Sequence, residues 1–64
     1  MKLRELMKER KISVTDLAEK LGITRQALYN KINEVSEFTF DEAQKIKEIF
    51  ELSDEQLIEA LKRD

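Results

Sequence analysis

Four times along the chain an apolar residue precedes a Ser or Thr, and a second apolar residue stands four positions after that hydroxyl. The sets are Ile12-Ser13 with Leu17, Ile23-Thr24 with Leu28, Phe38-Thr39 with Ala43, and Leu52-Ser53 with Leu57. A hydroxyl so placed accepts a hydrogen bond from an amide in the first helical turn. The flanking apolar pair packs across the helix start as a hydrophobic staple. Glu42 and Gln56 stand where each completes a capping box, and Asp16 is a shorter variant of the same device. With the N-terminal segment around Leu3, Leu6 and Met7, the pattern predicts five helices: roughly 2–10, 14–21, 25–33, 40–51 and 54–62.

Each helix has one apolar stripe. Val14, Leu17, Ala18 and Leu21 follow the i, i+3, i+4, i+7 spacing. Ala43, Ile46, Ile49 and Phe50 form the stripe of the fourth helix, and Leu57, Ile58 and Leu61 that of the fifth. Phe38, Phe40 and Phe50 sit at staple and stripe positions, so all three are expected in the core. No segment alternates with period two over a strand's length. The expectation is an all-α bundle, one domain over residues 1–64, with one core and no linker or repeat.

Composition narrows the function. Sixty-four residues leave no room for a deep substrate cleft. With neither cysteine nor histidine there is no disulfide frame, no zinc site, and no usual catalytic base or nucleophile. Neither enzyme activity, nor metal, cofactor or small-molecule substrate is expected. The longest apolar run is three residues, Ala27 to Tyr29, far short of a membrane span or signal peptide. A soluble cytoplasmic protein is expected.

The net charge is −2, which argues at first against nucleic acid. Its distribution says otherwise. Residues 1–33 carry eight Lys or Arg against four Asp or Glu, whereas residues 34–64 carry four against ten. The basic half also holds Gly22, the single glycine, between two short helices. A chain that stops one helix and turns sharply into the next needs a residue that accepts positive φ. Helix, tight turn and helix form the unit that sets a helix in the major groove of DNA.

The second helix of that pair has an unusual outer face. At about 100° per residue, Arg25, Gln26, Tyr29, Asn30 and Asn33 share one side, and Leu28 and Ile32 the other. A merely solvated face usually carries Glu and Lys; here no carboxylate stands between Arg25 and Asn33. Arg reads guanine and Gln or Asn reads adenine at base edges.

From Ser13 to Asn33 the chain resembles the Cro/repressor-type helix-turn-helix family of phage and bacterial transcriptional regulators, the lambda-repressor-like fold. The string Leu17-Ala18-Glu19-Lys20-Leu21-Gly22-Ile23-Thr24-Arg25-Gln26 carries the likeness, with Ala18 at the helix crossing, Gly22 in the turn and Leu28 buried. Leu52-Ser53-Asp54-Glu55-Gln56-Leu57 looks like the family's start to a fifth helix, so the resemblance covers nearly the whole chain. It implies a double-stranded DNA operator as partner. It also implies base-edge contacts from Arg25, Gln26, Tyr29 and Asn30, backbone contacts from Thr24 and Lys31, and a two-fold homodimer using Ile58 and Leu61 with Val35 or Phe38.

Three positions depart from the family pattern. Val14 replaces a frequent phosphate-binding Gln. Lys31 stands where many members bury an aliphatic residue, with Ile32 expected to take over the packing. Asn33 is followed by Glu34 rather than Gly; Asn33 can still take the left-handed cap conformation, but Glu34 and Glu37 put negative charge in a loop that often lies beside DNA in the family. The competing reading keeps the fold but uses the acidic helices four and five against a protein partner, as an antitoxin-like or repressor-antagonising module.

Overall fold

The computed structural model describes residues 1–63. Five helices follow one another: α1 (Leu3–Arg10), α2 (Val14–Leu21), α3 (Arg25–Ile32), α4 (Phe40–Ile49) and α5 (Asp54–Leu61). All four hydroxyl caps form as the pattern requires. Ser13, Thr24, Thr39 and Ser53 accept from the amides of Asp16, Ala27, Glu42 and Gln56. The capping boxes close at Thr39–Glu42 and Ser53–Gln56, each side chain answering the other's backbone.

The helix ends repeat a second device. Ile12, Ile23, Val35 and Leu52 return their N–H groups to the carbonyls of Met7, Ala18, Asn30 and Lys47, at 2.8–3.0 Å. The residue before each, Lys11, Gly22, Glu34 or Glu51, has φ between 55° and 72°. This is the Schellman closure, which satisfies carbonyls that a helix end leaves open. Three of the four apolar residues, Ile12, Ile23 and Leu52, also precede the next hydroxyl cap, and all three pack against the core. One side chain thus ends one helix and starts the next. Asn33, for which the left-handed conformation was open, has φ −84°; Glu34 takes it instead at φ 65°. The reversal comes one residue later because α3 ends at Ile32 and Asn33 still continues its turn.

The core is built from every helix, with Leu3, Leu17, Leu28, Ile46 and Phe50 wholly buried. α2 packs on α3 and α4, and α5 packs on α4 and α1. Ala18, 2% exposed, is the small residue that lets α2 approach its neighbours closely. Two core assignments need correction. Phe40 is 76% exposed, because it is the first helical residue after Thr39 and the staple uses Phe38 and Ala43 instead. Ile58 is 66% exposed and Ala60 is buried in its place. Leu57, Ala60 and Leu61 make the inward stripe of α5, and Ile58 lies about 100° around from Leu57. Among the described residues no helix is long and apolar enough to cross a membrane.

Candidate nucleic-acid interface

Gly22 fixes how α3 leaves α2. Its φ of +72° reverses the chain, and Leu28 (0% exposed) and Ile32 (5%) pin the inner side of α3 to the core. What remains outside follows from helix geometry. Arg25, Gln26 and Tyr29 are exposed and Asn30 half-buried; Gln26 and Asn30 lie opposite Leu28, whereas Tyr29 is about 100° and Arg25 about 60° around the helix from it. Gln26 and Asn30, one turn apart, bond to each other, with the Gln26 Nε2 donating to the Asn30 Oδ1 at 3.1 Å. The pair holds both amides at the surface in one arrangement while leaving Gln26 its second N–H and its carbonyl.

The start of α3 is the one helix start without an acidic residue in its first turn; α1, α2, α4 and α5 each carry one or two. Elsewhere those carboxylates complement the positive end of the helix dipole. At α3 that end is left for an outside anion. Thr24 caps it by accepting from the Ala27 amide at 3.1 Å, which leaves its hydroxyl proton for a partner such as a phosphate oxygen.

Lys31 departs from the phosphate-binding expectation. Its Nζ lies 3.1 Å from Glu42 Oε1, donates to the Glu37 carbonyl at 2.9 Å, and sits 5.8 Å from the Phe38 ring centroid. Both side chains of the ion pair are nearly buried, at 13% and 12% exposure. The cause is angular: Lys31 lies about 60° from Leu28 on the helix wheel, on the flank that faces α4. Its stem fills the place of an aliphatic residue, and its charge is answered inside the domain. Burial works to raise the Glu42 pKa, but the Thr39 N–H and the Lys31 ammonium outweigh it and hold the carboxyl below its ordinary 4.5.

Arg4 was not singled out by the sequence. From α1 its guanidinium donates to Asn33 Oδ1, and it lines a cleft with Met7, Val14, Tyr29 and Ile32. A cation from a different helix is thereby added at the end of the outer face of α3. Nothing in the chain's periodicity marks it, since residue 4 is simply a polar position of an amphipathic helix. Among the dimer candidates, Val35 and Ile58 are exposed, whereas Phe38 and Leu61 are partly buried against the core. No group of side chains suited to hold a metal ion occurs among the described residues.

The short αL turn, the polar outer face of α3 and the five-helix order define a helix-turn-helix DNA-binding domain. Residues 2–62 match the family described as Cro/C1-type HTH DNA-binding domain, and the chain belongs to that family. No curated protein and no solved structure matches it. The family assignment supports a DNA-binding regulator.

Proposed function

We propose that the chain is a sequence-specific regulator of transcription, of phage or bacterial repressor type, that inserts α3 into the major groove. Arg25, Gln26, Tyr29 and Asn30 read base edges, and Thr24 with the open start of α3 holds a backbone phosphate. The observation that carries this reading is the carboxylate-free outer face of α3, presented by a turn that buries Leu28 and Ile32. It operates as a homodimer through Val35 and Ile58, on half-sites about one helical turn, roughly 34–36 Å, apart. Its place is the cytoplasm or nucleoid, where that DNA is.

Selection from a random duplex library, repeated at two salt concentrations, tests the proposal. The expected result is a pseudo-palindromic consensus whose half-sites contain guanine or adenine steps, enriched at both salts. Enrichment with no consensus, or none above a scrambled pool, overturns sequence-specific reading. A consensus with a single half-site overturns the dimer.

A further inference from the structure

On the side of the domain away from Arg4, α1 and α5 leave an open groove of about 320 Å³ between them. Leu6, Leu52 and Ala60 give it an apolar lining. Its rim is acidic: Glu5 and Glu9 stand on one wall, Glu55 and Glu59 on the other. Lys2 is the one cation at the rim, and it reaches Glu59 only at 3.8 Å with both side chains more than half exposed. We propose that this groove docks a basic amphipathic helix of another protein.

Two features of the groove fit that occupant. Glu5 and Glu9, like Glu55 and Glu59, are spaced i, i+4, so each wall repeats a carboxylate about every 6 Å along its helix. Like charges at that spacing disfavour the helix that carries them. Here two such pairs face each other across an apolar floor, an arrangement that a row of Lys or Arg at the same spacing would relieve. A helix with an apolar stripe flanked by basic residues satisfies floor and rim together.

The acidic rim repels nucleic acid and anionic lipid. A second copy of this chain fits poorly as well, since its most exposed apolar residues, Val35, Phe40 and Ile58, each adjoin a carboxylate in sequence, at Glu34, Asp41 and Glu59. On α1 the groove-lining positions 2, 5, 6 and 9 centre about 150° from Arg4, which reaches the end of α3. Partner and duplex therefore approach different faces, and the domain can hold both at once.

The test uses a labelled model peptide of Leu and Lys, with Leu at i, i+3, i+4 and i+7, and its Leu and Glu counterpart. Fluorescence anisotropy gives affinity, and amide shifts in the ¹⁵N-labelled full chain give the location. The Leu/Lys peptide is expected to bind, with shift changes confined to α1, Leu52 and α5. The Glu9→Lys/Glu55→Lys variant should lose about tenfold or more of that affinity and gain binding to the Leu/Glu peptide. If circular dichroism shows this variant unfolded, Glu9→Gln/Glu55→Gln replaces it and should weaken the Leu/Lys peptide by at least about threefold. Equal affinity for the two peptides, shift changes centred on α3 or α4, or affinity unmoved in the variants overturns the proposal. Self-association of the free chain that disappears in the variant would assign the groove to a second copy and overturn it too. None of these outcomes touches the duplex selection, which reads α3.

Discussion

Lys31 of α3 and Glu42 of α4 meet at 3.1 Å with both side chains almost covered, so α3 is tied to the body of the domain by its own only lysine. Glu42 serves twice, because its Oε1 also accepts the Thr39 N–H at 2.8 Å to complete the cap of α4. Removing one member of such a pair leaves a poorly solvated charge behind. Lys31→Ala should therefore cost about 1–3 kcal/mol of stability. In a domain of this size that lowers the melting temperature by roughly 4–8 °C per kcal/mol. The salt dependence of duplex binding should hardly change, since the ammonium is already engaged. A flattened salt slope with unchanged melting would instead place Lys31 on a phosphate.

The same pair sets an acid response. The Glu42 carboxyl titrates below its ordinary 4.5 in the folded chain, so the folded state favours the ionised form. Its stabilisation is complete above the unfolded value and is lost as pH falls from 4.5 through the lower folded pKa. Thermal melts should thus show stability falling through that window, and Glu42→Gln should make the fall shallower while lowering stability at neutral pH. An equally steep acid limb in Glu42→Gln would remove this carboxylate as the cause.

Four helix ends use a left-handed residue, yet only Gly22 is a glycine. A Cβ built on Gly22 meets nothing within 4 Å, so Gly22→Ala tests backbone strain without steric collision. It should cost about 1 kcal/mol and leave the turn in place. Glu51, exposed and at φ 55°, is the converse case. Glu51→Gly should gain about 0.5–1 kcal/mol. Urea unfolding of the two variants checks both signs, and a loss at Glu51→Gly would show that its side chain makes up for the strain.

These helix ends also show how far the residues alone could be read. Caps were legible because Ser, Thr, Glu and Gln must occupy fixed offsets to bond the first amides, and all four appear at Ser13, Thr24, Thr39 and Ser53. The left-handed residues at Lys11, Glu34 and Glu51 were not, because an ordinary side chain there carries no signature and the closure is enforced by the next apolar residue. Phe40 and Ile58 depart for another reason: each is apolar, but its angle on the helix turns it away from the core. The polar outer face of α3 was legible as a stretch without carboxylates. The inward turn of Lys31 was foreshadowed only by its family position, and Arg4 by nothing local.

Gln26 and Asn30 should act as a unit on DNA. Their 3.1 Å bond orients each amide for the other, so Gln26→Ala also frees Asn30 to rotate. Each single substitution should cost about 1–3 kcal/mol and relax one base position. Their double variant should lose less than the sum, with a coupling on the order of 0.5 kcal/mol or more. Arg25, which has no such partner on α3, should add to either loss independently. Competition binding against single-base variants of the selected duplex measures all of these, and strict additivity of Gln26→Ala with Asn30→Ala would dissolve the pair.

Arg4 provides the sharpest separation between binding and folding. Its guanidinium is exposed and donates to the Asn33 side-chain Oδ1, at the far end of α3 from the Thr24 cap. An exposed bond of this kind contributes little to stability, about 0–1 kcal/mol. The guanidinium keeps further N–H donors that Asn33 does not use, and Arg4 lines one cleft with Tyr29. A phosphate approaching α3 from its C-terminal end could accept from them. Arg4→Ala should consequently leave melting nearly unchanged, weaken all duplexes alike, and reduce the slope of log affinity against log salt by about one. Arg4→Lys should restore the slope more than the affinity, because an ammonium supplies the charge without the fork that holds Asn33. If Arg4→Ala instead alters the preferred base at one position, its effect runs through Asn33 to the bases. If it lowers melting and leaves the salt slope intact, the guanidinium is only a brace between α1 and α3.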